Sequence, residues 1–187
     1  MLGALLLAAA LTQDPAFDER VHLGVGVSGL SYLVYGSDSY FRYKGEHPIE
    51  FEVGFAHRLG RYFEIGASYA LVRFANLAVL HRVPVSARVM LPLGSRTELG
   101  LSARFGPLYV TADRMGTPVH MWGWAGGPRL DLRHWFDHRF GMVFAAEAWW
   151  ARGDVVAEQP ESASPYLNPT MFALSVPTAS VAGIVRF

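Results

Sequence analysis

From Val21 onward, apolar residues alternate with polar or small ones at a period of two, over segments longer than the strands of most soluble sheets. Leu23, Val25 and Val27 alternate with Gly24, Gly26 and Ser28. Ile49, Phe51, Val53 and Phe55 alternate with Glu50, Glu52, Gly54 and Ala56, and Phe63, Ile65, Ala67, Tyr69 and Leu71 with Glu64, Gly66, Ser68 and Ala70. A fourth segment sets Val79, Val83, Val85, Ala87, Val89 and Leu91 against Arg82, Ser86 and Arg88. In the fifth, Leu99, Leu101, Ala103 and Phe105 oppose Glu98, Gly100, Ser102 and Arg104. The sixth and seventh place Trp122, Trp124, Leu130 and Leu132 opposite Arg129, Asp131 and Arg133, and Phe140, Met142, Phe144, Ala146 and Trp150 opposite Arg139, Gly141 and Glu147. Val181, Val185 and Phe187, alternating with Ser180, Ala182 and Arg186, close the set. No helical periodicity interrupts these segments.

The connections alternate in length. Leu59-Gly60, Leu93-Gly94-Ser95 and Phe136-Asp137 read as tight turns, whereas residues 36–46, 111–118 and 152–169 read as longer polar loops; only Ala75-Asn76-Leu77 is short where a long loop is expected. Eight strands with short turns on one side and long loops on the other predict an all-β fold, an eight-stranded antiparallel up-and-down transmembrane β-barrel.

The two faces decide which solvent surrounds it. A soluble lipocalin turns its apolar face toward a ligand cavity, and a secreted β-sandwich would use that face as its core. Here one face carries Gly, Ser and Ala among long charged residues, which suits a narrow lumen, and the other carries Phe, Val, Leu and Trp, which suits lipid. Most segments also reach the 9 to 11 tilted residues, roughly, that cross the hydrocarbon layer. Aromatic residues suggest two girdles: Tyr32, Tyr35, Tyr109, Trp122, Trp124, Trp149 and Trp150 on the long-loop side, and Tyr62, Phe63, Trp135, Phe140 and Phe187 on the short-turn side. The stretch from Val21 to Phe187 resembles the small eight-stranded outer-membrane barrels of the OmpA transmembrane-domain and OmpX type, most sharply in the terminal Val181-Ala182-Gly183-Ile184-Val185-Arg186-Phe187. That resemblance implies location in the outer membrane of a Gram-negative bacterium and contact with outer-membrane lipid and lipopolysaccharide. It also implies a monomer, and an assembly signal at Val181, Val185 and Phe187 read by the barrel-assembly machinery.

Composition trims the alternatives. The 16 basic and 16 acidic residues cancel, which leaves no general attraction to nucleic acid. Cysteine is absent, excluding disulfides, thiolate metal ligands and a Cys nucleophile. Leu2 to Leu11 is an apolar run of signal-peptide length, so residues 1–16 are expected to be a leader with a short N-terminal segment, and 17–187 the barrel.

If the polar face lines the lumen, Glu50, Glu52, Glu64, Glu98, Asp131 and Glu147 share it with Arg58, Arg82, Arg88, Arg104, Arg129, Arg133 and Arg139. Burial of so many charges requires pairing, and the planar guanidinium fork can bridge several carboxylates, so a salt-bridge network plugging the barrel is expected. No catalytic residue, metal site or cofactor is expected. His81 and His120 fall on the lipid-facing phase without a Ser beside them, which fits a chance position or contact with lipid headgroups better than an acyl-ester enzyme. His134 and His138 lie in a turn, where their spacing does not make a metal site, and Gly24, Gly26 and Gly29 lack the helix that nucleotide binding requires. Tyr40, Phe41, Arg42 and Tyr43 in the first long loop are the candidate contact residues, since aromatic and Arg side chains enrich binding patches, and an interfacial aromatic belt fits them equally well. The expected role is structural or interactive at the cell surface, with a small-conductance pore and a lipid A-modifying enzyme as the alternatives.

Overall fold

The structure, a computed structural model, describes residues 18–28, 32–35, 39–41, 48–74, 78–114, 117–156 and 171–186. The expected leader, Arg42, Tyr43 and Phe187 lie outside the described residues, and of Tyr40 and Phe41 only the backbone is described. The strands are β1 (Asp18–Ser28), β2 (Tyr32–Tyr35), β3 (Ser39–Phe41), β4 (Ile49–Leu59), β5 (Phe63–Phe74) and β6 (Ala78–Arg82). They continue with β7 (Val85–Pro92), β8 (Thr97–Arg114), β9 (Thr117–Trp135), β10 (Phe140–Val156) and β11 (Met171–Arg186).

Their pairing closes a single antiparallel wall. β1 pairs with β4 on one side and with β11 on the other, so the sheet closes on itself. β6 and β7 are two parts of one strand, lying between β5 and β8 and interrupted at Val83-Pro84, where Pro84 has no N–H to donate. β2 follows β1 along β11, and β3 pairs with β2 as a short hairpin. The barrel therefore has eight walls: β1, β4, β5, β6 with β7, β8, β9, β10 and β11. Following paired residues from Val25 through Phe51, Leu71, His81, Tyr109, Trp122 and Asp154 leads to Met171, ten residues from Val181, the direct partner of Val25. This offset is the shear that tilts the strands across the barrel axis.

Period-two alternation sets the faces. In β4, Ile49, Phe51, Val53 and Phe55 are exposed while Glu50, Glu52, Gly54 and Ala56 are buried. The same alternation in β8 leaves Leu101 60% and Phe105 57% exposed beside buried Ser102 and Arg104. A wall whose apolar side chains face out and whose charges face in is the reverse of a lipocalin or a sandwich, and it matches a barrel solvated by lipid.

Two connections differ in detail from expectation. The loop expected at 111–118 is mostly strand, because the ladder runs on through Thr111–His120 and Asp113–Pro118 to Arg114–Thr117. The loop expected from Arg152 begins later, since β10 continues to Val156. Among the tight turns, Gly60 adopts a φ of 70°, a conformation costly for residues with a Cβ. In the turn from Phe136 to Arg139, Asp137 Oδ1 accepts N–H bonds from Phe140 and Arg139, both at 2.7 Å, and these amides hold its carboxyl below the ordinary value. Arg139, expected in the lumen, is exposed in this turn: the strand ends before its inward phase can be used.

Candidate functional site

Among the described residues, the buried charged side chains converge in the lumen. Glu50, Glu52, Glu64, Arg82, Arg88, Glu98, Arg104, Arg129, Asp131, Arg133 and Glu147 are all buried there, each on the inward phase of its strand. They form two tiers.

In the middle tier, Arg82 grips Glu147 through both carboxylate oxygens, at 2.8 and 3.1 Å, and donates to Glu50 Oε1 at 2.8 Å. Arg104 donates to Glu147 Oε2 at 2.7 Å, to Glu52 at 2.9 and 3.2 Å, and to Ser68 Oγ at 2.5 Å. Arg129 completes the tier, 2.8 Å from Glu52 Oε2. His22 Nε2 lies 3.0 Å from Glu52 Oε1, and its imidazole fills the space that Gly54 leaves opposite: a Cβ there would stand 2.2 Å from the ring.

The tier toward the short turns centres on Glu64. Arg133 forms a bidentate pair with it, both bonds at 2.7 Å, while Arg88 and Arg20 approach the same carboxylate. Arg20 also reaches Glu98 at 3.2 Å, which accepts from Arg58 at 2.6 Å and from the Trp135 indole at 3.2 Å. Asp131 joins the tiers: it accepts from Arg129 Nε at 2.7 Å, and Arg88 Nε sits 2.8 Å from its other oxygen as a charge contact without hydrogen-bond alignment. Carboxylates and guanidiniums thus occupy one another's coordination. Glu50, Glu52 and Glu147 bring oxygens within 4.8 Å of one another, the one acidic group among the described residues with metal-ligand spacing, and Arg82, Arg104 and Arg129 supply the positive charge there.

Loopward of the charges the lumen changes character. Val72, Leu80, Leu108, Val110, Met121, Ala125, Trp149, Ala151 and Val176 pack into a buried apolar plug. Trp149 is its floor: Arg82 stacks over the ring at 4.6 Å, and the indole N–H donates to Thr178 Oγ1 at 3.3 Å. The inward placement of Trp149, and of Trp135 beneath Arg20 and Arg186, corrects their assignment to the girdles. Each shares its strand phase with inward charges, Glu147 for Trp149 and Arg133 for Trp135, and the phase overrides the aromatic-belt preference. Trp122, Trp124 and Trp150 do face outward.

No protein-family model matches the chain, and no curated protein matches its sequence. Solved structures do match its shape. Neisserial surface protein A superposes with a TM-score of 0.57 at 11% identity, over 91% of this chain and 97% of that one. Ail, the attachment invasion locus protein of Yersinia pestis, gives 0.54 at 11% identity, over 91% and 99%. A structure from the de novo design of transmembrane β-barrels gives 0.52 at 11%, over 94% and 98%. The fold is that of the small outer-membrane β-barrels. In barrel terms, Val181 of the expected assembly signal points outward from β11 and Val185 is half-buried.

Sequence reasoning missed Arg20, His22 and the apolar plug of this barrel. Arg20 and His22 lie on the same phase as Gly24 and Gly26, so extending the first alternating segment toward the N-terminus would have found them. The plug carries no such signal, because around Pro107, Leu108, Tyr109 and Val110 both faces of the strand are apolar or aromatic.

Proposed function

We propose that the chain is a bacterial outer-membrane protein whose barrel is a sealed, non-catalytic scaffold that presents its long loops, including Tyr40, Phe41, Arg42 and Tyr43, for contacts at the cell surface. The observation that carries this reading is the filled lumen, two tiers of paired charge beneath an apolar plug. Ion passage would require opening the charge pairs and wetting a dry layer, and eight strands leave room for little beyond the side chains themselves. The outer fold supports the membrane location, because large apolar side chains dominate the outward face around the wall.

The test refolds the mature chain into detergent and then into planar bilayers. A boiling-dependent gel shift with no resolved current steps is the expected result. Steady ion current through the folded species would replace this reading with a small-conductance pore. A mass change in lipid A exposed to the protein would replace it with a lipid-modifying enzyme.

A further inference from the structure

Polar side chains facing lipid are costly unless they are satisfied, yet the outward face near the loop end carries four that bond in pairs. Tyr69 Oη lies 2.7 Å from His81 Nδ1, and Tyr109 Oη lies 2.7 Å from His120 Nδ1. Leu71, His81, Tyr109 and Trp122 share one register row across β5, β6, β8 and β9; Tyr69 lies two residues toward the short turns from it and His120 two residues toward the loops. The pairs touch through the His81 and Tyr109 rings, 6.0 Å apart. Trp122 packs on Tyr109 at 4.5 Å, and Phe105 stacks on Trp124 at 5.4 Å alongside.

Counting protons shows what the pairs lack. A tyrosine hydroxyl carries one hydrogen, and a neutral imidazole carries one N–H. The bond between them uses one of the two, in either tautomer, so each pair has one donor left over, and a charged imidazole would only add another. Leftover donors on a face turned to lipid need acceptor oxygens from the surrounding lipid. With strands about 4.8 Å apart, the centres of the two pairs stand two strands, or roughly 10 Å, from each other across the wall. That separation exceeds a single phosphodiester headgroup and suits a disaccharide head with flanking phosphates and acyl esters, with Trp122 and Trp124 as flat faces for a sugar ring.

We infer that Tyr69, His81, Tyr109 and His120 form an outward-facing binding site for a phosphorylated, acylated glycolipid of the lipid A class. The inference rests on the outer face lying in lipid, which the boiling-dependent gel shift tests separately.

The experiment reconstitutes the full chain in phosphatidylcholine nanodiscs containing a small fraction of diphosphoryl lipid A, releases it into detergent and counts retained lipid by native mass spectrometry. Because removing either member of a pair leaves the other's donor, the informative variant replaces all four by Phe. Wild type is expected to retain lipid A, and the fourfold variant to lose about an order of magnitude of retention, whereas Trp150→Phe on β10 retains it as wild type does. Equal retention by wild type and the fourfold variant overturns the site. So does equal retention of phosphatidylglycerol in place of lipid A. If the fourfold variant loses its gel shift, nitrogen-15 imidazole signals of the wild-type protein decide: lipid A must move those of His81 and His120 while leaving His57, near the short turns, in place. Unmoved His81 and His120 signals overturn the proposal.

Discussion

The two ends of the lumen fill the same closed wall by opposite means. Toward the short turns and through the middle, the space is held mainly by Arg and carboxylate side chains that pair with one another, beside a smaller apolar patch of Trp135, Val143, Ala145, Ala182 and Ile184; toward the loops it is occupied by Leu, Val, Met and Trp. The charged part tolerates burial only as a complete set, whereas the apolar part is a set of independent packing contacts. The boundary is Trp149, which presents a ring face to Arg82 and its body to the plug. One architecture thus holds a stringent interior and a forgiving one within a few residues of each other.

Substitutions that unpair a buried charge should be the most destabilising. Glu64→Gln leaves Arg20, Arg88 and Arg133 without their shared carboxylate, and Arg104→Ala removes the guanidinium that Glu52 and Glu147 share, leaving Glu52 with Arg129 and Glu147 with Arg82. Each is expected to cost about 3–5 kcal/mol in urea unfolding followed by tryptophan fluorescence in lipid vesicles. Unfolding curves unchanged in both variants would mean that the charges are solvated rather than packed. In the plug, Leu108→Ala and Met121→Ala should cost about 2–5 kcal/mol each, in proportion to the cavity left, and should add when combined with a charge variant at the far end of the lumen. At the boundary, Trp149→Phe keeps most of the volume but loses the Thr178 bond and weakens the face offered to Arg82; roughly 1–2 kcal/mol is expected from the same unfolding assay.

The smallest effect lies outside the wall, in the exposed turn of Asp137. Its carboxyl is held below the ordinary value by the Phe140 and Arg139 amides, so its contribution is complete above the unfolded value of about 3.9 and fades as pH falls through the lower folded value. Amide exchange at Arg139 and Phe140 should therefore quicken, relative to neighbouring strand amides, on acidification through that window. Asp137→Ala should show the quicker exchange at neutral pH already.

Much of this interior was legible because a strand allows only two directions. Once Glu50 and Arg104 are placed inward, period two fixes Glu52, Ser102 and the rest without further information. The same rule places Trp149 and Trp135 inward, and the expectation of an aromatic belt misread them. What period two cannot supply is who meets whom. Glu64 and Arg133 are 69 residues apart, and their bidentate contact depends on the shear of the closed barrel, which no local pattern encodes. The plug was hidden for a related reason: near Leu108 and Val110, side chains on both phases are apolar, so alternation ceases to distinguish lumen from lipid.

Those long sequence separations bear on how the molecule forms. Arg20 meets Glu98 across 78 residues, and Arg129 meets Glu52 across 77. The members of a tier come from strands all round the wall, so neither tier can be completed by one hairpin or by half a sheet. Before β1 meets β11, the inner face is a row of unmatched charges that water can solvate and hydrocarbon cannot. Insertion ahead of closure is thereby penalised strand by strand. The interior acts as a cooperative latch on the final step of folding: an open sheet keeps to the aqueous boundary, and only the closed ring, with every charge answered, is at home in the membrane.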